Sequence, residues 1–161
     1  MSELVVRRAN YQLPSDRAAL CELLDHYAQD AMGGGAPIAP QALARLCDEL
    51  AKRPFAFSFI AWQGNEPVGL VNCFEGFSTF KAQPLVNIHD VVVVNGKRGQ
   101  GIAQALMKAV ETEAAARGAC KLTLEVLSGN AVALQSYERF GFKAYQLDPS
   151  AGQALFLQKW L

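Results

Sequence analysis

The chain has 161 residues, 51% of them hydrophobic and 19% charged, which is enough apolar material for one compact core and excludes a disordered or low-complexity chain. Lys plus Arg (15) balances Asp plus Glu (15), whereas a nucleic-acid-binding surface is expected to carry a basic excess. No apolar run approaches the ~18 residues of a membrane span, and the amino end, Met1-Ser2-Glu3-Leu4-Val5-Val6-Arg7-Arg8, lacks the basic, apolar and small order of a signal peptide. The expectation is a soluble, cytoplasmic protein, one domain over residues 1–161, with neither nucleic acid nor membrane as partner.

In chain order, residues 4–8 read as an edge strand. Pro14-Ser15-Asp16 starts a helix on which Leu20, Leu23, Leu24 and Tyr27 recur at i, i+3, i+4, i+7, and which ends before Gly33-Gly34-Gly35. A second helix follows Pro40, with Leu43, Leu46, Cys47 and Leu50 at the same spacing, and stops at Lys52-Arg53-Pro54. The period then changes. Residues 55–63 and 68–77, rich in aromatic and β-branched side chains, flank the turn Gln63-Gly64-Asn65-Glu66-Pro67 and predict an antiparallel hairpin. Residues 85–94 form a third strand here, apolar on both faces at its end and therefore covered on two sides. A helix runs from Gly101 to Gly118, a strand over 121–126, and a helix from Asn130 to Gly141. Strands over 142–147 and 154–160 close the chain around Asp148-Pro149-Ser150. The order is β-α-α-β-β-β-α-β-α-β-β: an α/β (α+β) fold with a mixed, mostly antiparallel twisted sheet flanked by helices.

Four cysteines, Cys21, Cys47, Cys73 and Cys120, are scattered without a C-x-x-C, and only two histidines, His26 and His89, are present. Such spacing suits neither a zinc site nor a disulfide framework, so no metal is expected and the thiols read as buried small hydrophobes. A G-x-S-x-G elbow, which would point to a hydrolase, is absent.

The chemistry concentrates in Asn95-Gly96-Lys97-Arg98-Gly99-Gln100-Gly101-Ile102-Ala103, between a buried strand and an amphipathic helix. Glycines let the backbone approach a ligand, and the first N–H groups of a helix lack intrahelical partners and carry the positive end of its dipole. This is a phosphate-binding arrangement, to which Lys97 and Arg98 add charge; a tight strand-to-helix turn is the plainer alternative. Gly99-x-Gly101 begins a dinucleotide fingerprint, but Gln104 stands at its third glycine and too little chain follows Glu125 for the remaining parallel strands. The lysine of a nucleotide-triphosphate P-loop is missing.

Arg98-x-x-Gly101-x-Ala103, following the strand Asn87-Ile88-His89-Asp90-Val91-Val92-Val93, resembles the pyrophosphate signature [QR]-x-x-G-x-[GA] of the GNAT superfamily of acyl-CoA N-acetyltransferases. A second block, Asn130 to Phe142, resembles the family's Asn-x-x-Ala-x-x-x-Tyr-x-x-x-Gly-Phe through Asn130, Ala133, Tyr137, Gly141 and Phe142. The strand and loop look closest to the diamine (spermidine/spermine-type) acetyltransferases, which usually carry Glu-Asp where this chain has His89-Asp90. The resemblance implies transfer of an acetyl group from acetyl-CoA to a primary amine, by direct attack in a ternary complex. It implies that Val91, Val92 and Val93 pair their backbone with the pantetheine arm. Arg98, Gly99, Gln100, Gly101, Ile102, Ala103 and Gln104 would hold the pyrophosphate, Asn130 would contact the cofactor, and Tyr137 would sit near the sulfur. A small amine (polyamine-, amino-acid- or amino-sugar-like) is the expected partner, with a homodimer as a candidate assembly. A protein amine as acceptor and a non-catalytic acyl-CoA-binding domain are the alternatives.

Among individual residues, Tyr137 is a general-acid candidate, with a packed core tyrosine as the plain alternative. His89 is the side chain near the loop whose type suits proton transfer at neutral pH, since an imidazole ordinarily titrates near ~6.5. Water held by His89, or Glu75, are the other candidate bases. On a regular strand Asp90 would point away from His89; a bulge would bring both to one face. Glu75, Asp90 and Glu125 could line a site for a cationic amine, and Phe80 a wall of it. Glu22, Asp25 and Asp30 read as a solvated helix face.

Overall fold

The computed structural model describes residues 2–145 and 148–161. Its elements are β1 (Leu4–Arg8), α1 (Pro14–Gln29), α2 (Pro40–Ala51), β2 (Ala56–Gln63), β3 (Glu66–Ser78), β4 (Gln83–Val93), α3 (Ile102–Ala116), β5 (Leu122–Leu124) and α4 (Ala131–Phe140), with 3-10 turns at Ala31–Gly33 and Pro149–Ala151. The strands lie in one sheet in chain order. β1 through β4 are successively antiparallel, and β5 returns parallel to β4 because α3 carries the chain back across the sheet, as a parallel connection requires.

Helices cover both faces. On one, Ile102, Leu106, Met107, Val110 and Ala114 of α3 pack on Phe57, Val71, Cys73, Val86 and Ile88. On the other, Ala19, Leu20 and Leu23 of α1 and Cys47 and Leu50 of α2 pack on Ile60, Trp62, Leu70 and Val92. Both α1 and α2 carry proline in their first turn, where its missing N–H costs nothing and its φ is already helical. Asn130 caps α4, accepting from the Ala133 N–H at 3.2 Å. Among the described residues no helix is long and apolar enough to cross a membrane.

The expected order holds through α4 and departs after it. β5 pairs over three residues, against the six expected. Residues 142–145 form no strand, the remaining positions 146 and 147 of that expected strand lie outside the described residues, and 154–160 pair with nothing and are exposed. Their apolar composition suggests a strand, but composition does not supply the edge to pair with. The cysteines also divide: Cys47 and Cys73 are buried, Cys21 is half-buried and Cys120 is exposed.

At Gly69 α3 lies close against the sheet. A Cβ there would stand 2.8 Å from Ile102 Cγ2, 3.0 Å from Leu106 Cδ1 and 3.1 Å from the Val92 carbonyl oxygen. Gly69→Ala is expected to lower stability by about 1–3 kcal/mol, the usual range for forcing a methyl into a filled core, measured as a lower urea midpoint at unchanged slope.

Candidate active site

The ladder between β4 and β5 joins only Val86, Asn87 and Ile88 to Leu122, Thr123 and Leu124. Beyond Ile88 the two strands part, and a cleft of about 300 Å³ opens between them. Its walls are His89, Val91, Val92 and Val93 of β4, Leu124 and Glu125 beyond the split, the loop and first turn of α3 (Lys97, Arg98, Gly99, Gly101, Ile102, Ala103 and Gln104), and Asn130, Ser136, Tyr137 and Arg139 at α4. His26, Tyr27, Asp30 and Met32 close it from α1. The loop and both sequence blocks therefore converge. Gln100 alone of the expected loop residues lies outside the walls.

α3 begins without any side-chain cap; its cap position is Gly101, at φ +78. The first N–H groups of the helix are left for a ligand. The left-handed backbone at Gly99 and Gly101 lets the loop turn with nothing within 4 Å of either missing Cβ. Arg98 stands at the mouth, 3.6 Å from the Asp30 carboxylate. Gln104 ties α3 to α4, donating to the Ser136 carbonyl at 2.9 Å and to its hydroxyl at 3.2 Å. These features fit a diphosphate: free N–H donors, a helix dipole, open space where side chains would be, and a guanidinium at hand.

β4 is irregular where the cleft begins. Asn72 faces Asp90 and Cys73 faces Ile88, so His89 is an extra residue in the ladder. The bulge changes the face of everything after it: Val86 and Ile88 pack toward α3 before it, and Val91 and Val93 after it. His89 and Asp90 consequently both lie on the α1–α2 face, where with Tyr27, Leu24, Ile38, Leu46, Leu50, Asn72 and Phe74 they line a second pocket of about 350 Å³. His89 and Tyr27 belong to both cavities. The His89 ring meets Phe74 edge to face at 5.3 Å.

Behind Asp90 a row of polar side chains crosses the sheet. Asn72 donates from Nδ2 to Asp90 Oδ2 at 3.1 Å, and Ser58 donates from Oγ to Asn72 Oδ1 at 2.6 Å. The Tyr11 hydroxyl lies 2.8 Å from Ser58 Oγ; since Ser58 has given its only hydrogen to Asn72, Tyr11 is the donor. Register explains the row, because Ser58 is opposite Asn72 and Asn72 opposite Asp90. Asn72 and Ser58 are almost fully buried, so the chain holds Asp90 rigidly with one carboxylate oxygen left for a ligand. Burial raises the Tyr11 phenol, which suits its part as a donor.

Tyr137 faces the cleft from α4, its ring 6.0 Å from Phe142. Burial first, and then Tyr27 across the cleft, push its phenol up to about 12. Tyr27 is raised by burial and then by the carboxylates of Asp90 and Asp30. Burial likewise pushes the Cys47 thiol up to about 11 and that of Cys73 further, so neither is a thiolate nucleophile near neutral pH.

Two expected residues are elsewhere. Glu75 pairs with Arg117 at 3.1 Å, lies outside both cavities and is removed as a base or as lining; β3 turns that side chain toward α3. Phe80 sits in the β3–β4 connection, 93% exposed, and forms no wall of either cavity. Asp25 and Asp30 do more than face solvent: Asp25 accepts from the Ile38 N–H at 2.8 Å, and Asp30 accepts from the Met32 N–H at 2.9 Å, shaping the turn after α1. Asn72 and Ser58 were overlooked, although each is a polar interruption of an otherwise apolar strand.

The model of the Acetyltransferase (GNAT) family matches residues 19–142. Streptothricin acetyltransferase of Streptomyces lavendulae is 41% identical over 68 residues, a stretch covering 42% of this chain and 36% of that protein; the match thus spans about a third of that relative's length. Among solved structures, a transcriptional regulator from Bacillus halodurans C-125 superposes with a TM-score of 0.81 at 23% identity, covering 98% of this chain and 100% of that one. The aminoglycoside N-acetyltransferase AAC(6')-Iy in complex with CoA superposes with a TM-score of 0.77 at 17% identity, covering 99% and 96%. At such identities these two likenesses show the shared fold.

Ser58→Ala would leave the Asn72 oxygen and the Tyr11 hydroxyl without partners. The expected loss is about 1–3 kcal/mol of stability, and adding Tyr11→Phe should cost less than Tyr11→Phe alone, a coupling that urea unfolding of the four proteins measures.

Proposed function

The chain belongs to the acetyltransferase (GNAT) family, and from that premise we propose that it transfers an acetyl group from acetyl-CoA to a primary amine of a small, cationic molecule. The single observation that carries this reading is the meeting of two cavities at His89 and Tyr27, one walled by the glycine loop and the start of α3, the other by Asp90. The glycine loop suits the diphosphate of CoA, and the second pocket suits an acceptor. The family match and the structural relative bound to CoA support the donor, and the streptothricin and aminoglycoside relatives support a small amine. A polyamine is one member of that class, as the diamine-like strand suggests.

When bound, acetyl-CoA supplies a thioester carbonyl open to attack. Gly101, Ile102 and Ala103 bind the diphosphate through backbone N–H groups, assisted by Arg98. Val91 to Val93, past the split, present backbone groups on the side that β5 has vacated, since alternate residues of a strand direct N–H and C=O to opposite edges. Such donors hold a pantetheine amide and can stabilise charge growing on a carbonyl oxygen. Asp90, fixed by Asn72, receives the ammonium group of the acceptor. An alkyl ammonium must lose a proton before its nitrogen can attack, and His89, at the junction of the cavities, accepts it directly or through water.

Tyr137 acts as a hydrogen-bond donor. A phenol held at about 12 stays protonated throughout the neutral range. Giving that proton outright to a thiolate whose parent thiol titrates near ~8.5 is uphill by more than three pH units, about 4–5 kcal/mol. Donating a hydrogen bond to the departing sulfur carries no such cost.

Acetyl-CoA should raise the melting temperature, since a ligand selective for the folded state stabilises it, whereas NAD and ATP should not. In Gly101→Val the shift should disappear, because a β-branched residue is driven out of φ +78 and takes the first N–H groups of α3 with it. Equal shifts with NAD would sink the CoA assignment.

Activity is read as thiol release from acetyl-CoA over a panel of polyamines, amino sugars, amino acids and peptides. Tyr137→Phe should lower kcat by roughly 10- to 100-fold, the worth of one hydrogen bond to a charged group, with acetyl-CoA affinity little changed. His89→Ala should flatten the fall of kcat/KM on the acid side of its pH profile, where a base would be protonated, and Asp90→Asn should raise KM for the amine more than it lowers kcat. Turnover of peptides alone would redirect the reading to a protein acceptor, and binding without turnover on any amine would overturn it.

A further inference from the structure

The second pocket is polar along one side only. His89 and Asp90, consecutive on β4, stand there, and Asn72 donates to the Asp90 carboxylate from behind. Tyr27 joins them at the border with the first cavity. Most of the remaining lining is hydrocarbon, chiefly Leu24 of α1, Ile38 before α2, Leu46 and Leu50 of α2, and Phe74 of β3. Leu24, Leu46 and Phe74 pack on the core of that face yet are only half-buried. Apolar surface grouped in this way gains by being covered. The space before it, about 350 Å³, is large enough for a small organic ligand.

Charge limits what that ligand can be. Among the described residues lining the pocket, Asp90 is the one carboxylate. Asp25 and Asp30 lie outside it and are already engaged. Asp25 accepts from the Ile38 N–H at 2.8 Å and from the Gln29 amide at 3.1 Å. Asp30 accepts from the Met32 N–H and faces Arg98 at 3.6 Å. One ammonium group therefore has a counter-charge at Asp90, whereas a second, set among leucines, has none and is costly to bury. The hydroxyls of a sugar ring meet the same wall. Buried polar groups need partners, and leucine, isoleucine and phenylalanine side chains offer none.

We propose, resting on the acetyltransferase reading, that the acceptor is a primary monoamine with a hydrocarbon body. Its ammonium group sits on Asp90 and its chain lies against Leu24, Ile38, Leu46, Leu50 and Phe74. The lining thus selects against polyamines and amino sugars, and Ile38 and Leu46 are specificity-determining residues. Binding in the pocket does not require transfer, so affinity and turnover test the pocket and the reaction separately.

Heptylamine and 1,6-diaminohexane are isosteric, a terminal methyl group of one standing where the other has an ammonium group. Affinity is read by ligand-observed NMR in the presence of CoA, and kcat/KM by thiol release from acetyl-CoA. From propylamine upward both should improve by roughly two- to fourfold per methylene until the pocket is filled, the worth of burying each one. Heptylamine should be favoured over 1,6-diaminohexane by roughly tenfold or more, since only the diamine buries an unpaired charge. Leu46→Glu supplies a second counter-charge and should cut that ratio by roughly tenfold. Ile38→Glu, in a loop rather than a helix, makes the same test if Leu46→Glu does not fold. Equal or tighter binding of 1,6-diaminohexane or of glucosamine overturns the proposal, as does a ratio that neither glutamate moves. Preferential binding of heptylamine without thiol release upholds the pocket assignment and overturns the acetyltransferase reading instead. Binding of no amine overturns the assignment.

Discussion

Backbone N–H and C=O groups of a strand must be hydrogen-bonded on both edges when the strand is buried, and β4 meets that demand on its β5 side for only three residues. Up to Ile88 the partner is β5. From His89 to Val93 it is not, and the groups that β5 leaves unpaired line a cleft. The active-site reading depends on this shortfall. An amide-bearing chain such as pantetheine can complete the ladder only where the protein has left it incomplete, and the glycine loop and start of α3 stand beside the opening because they follow the unpaired end of β4.

The bulge at His89 sets a second cavity beside that opening. Were β4 regular, without the bulge, Asp90 would continue the alternation of Val86 and Ile88 and point into the apolar layer under α3, where an unpaired carboxylate is very costly. With it, Asp90 joins Asn72 and Ser58 on the α1–α2 face, and His89 stands between the two cavities. The polar row across β2, β3 and β4 is tolerable in a core because its members satisfy one another. It also transmits rigidity: the Asp90 carboxylate is held through Asn72 by residues on two other strands and on the segment before α1.

The element order from β1 to α4 was legible because each element carries its own period, caps and stops. Leu20, Leu23 and Leu24, Pro40, Asn130 and Gly141 are local signals, and local signals survive folding. The walls that the glycine loop and α3 give the cleft were legible for the same reason, as loop and helix are contiguous in sequence. The acceptor side was not. Whether Asp90 faces His89 depends on one inserted residue in a ladder with β3; whether Glu75 reaches the pocket depends on Arg117, 42 positions away. No strand forms over 142–145 or 154–160 among the described residues, because a strand needs an edge as well as a composition, and sequence does not record with whom it pairs. Asn72 and Ser58 show in the sequence as polar breaks in apolar runs, and the register that joins them runs back from the turn at Gly64.

Arg98 and Asp30 connect the two halves of the site. The guanidinium belongs to the glycine loop, while the carboxylate shapes the turn that follows α1, where Gly33 lines the second pocket. Both partners are substantially exposed, so the ion pair is worth at most ~1 kcal/mol. That weakness is what a binding site needs. A buried, tightly held pair would oppose release of Arg98 to a phosphate by several kcal/mol, whereas this one exchanges one anion for another at small cost. Meanwhile the turn after α1 stays in place through bonds that do not involve Arg98, from Met32 to the Asp30 side chain and from Gly33 and Gly35 to its carbonyl. The second pocket can therefore keep its shape whichever anion Arg98 pairs with.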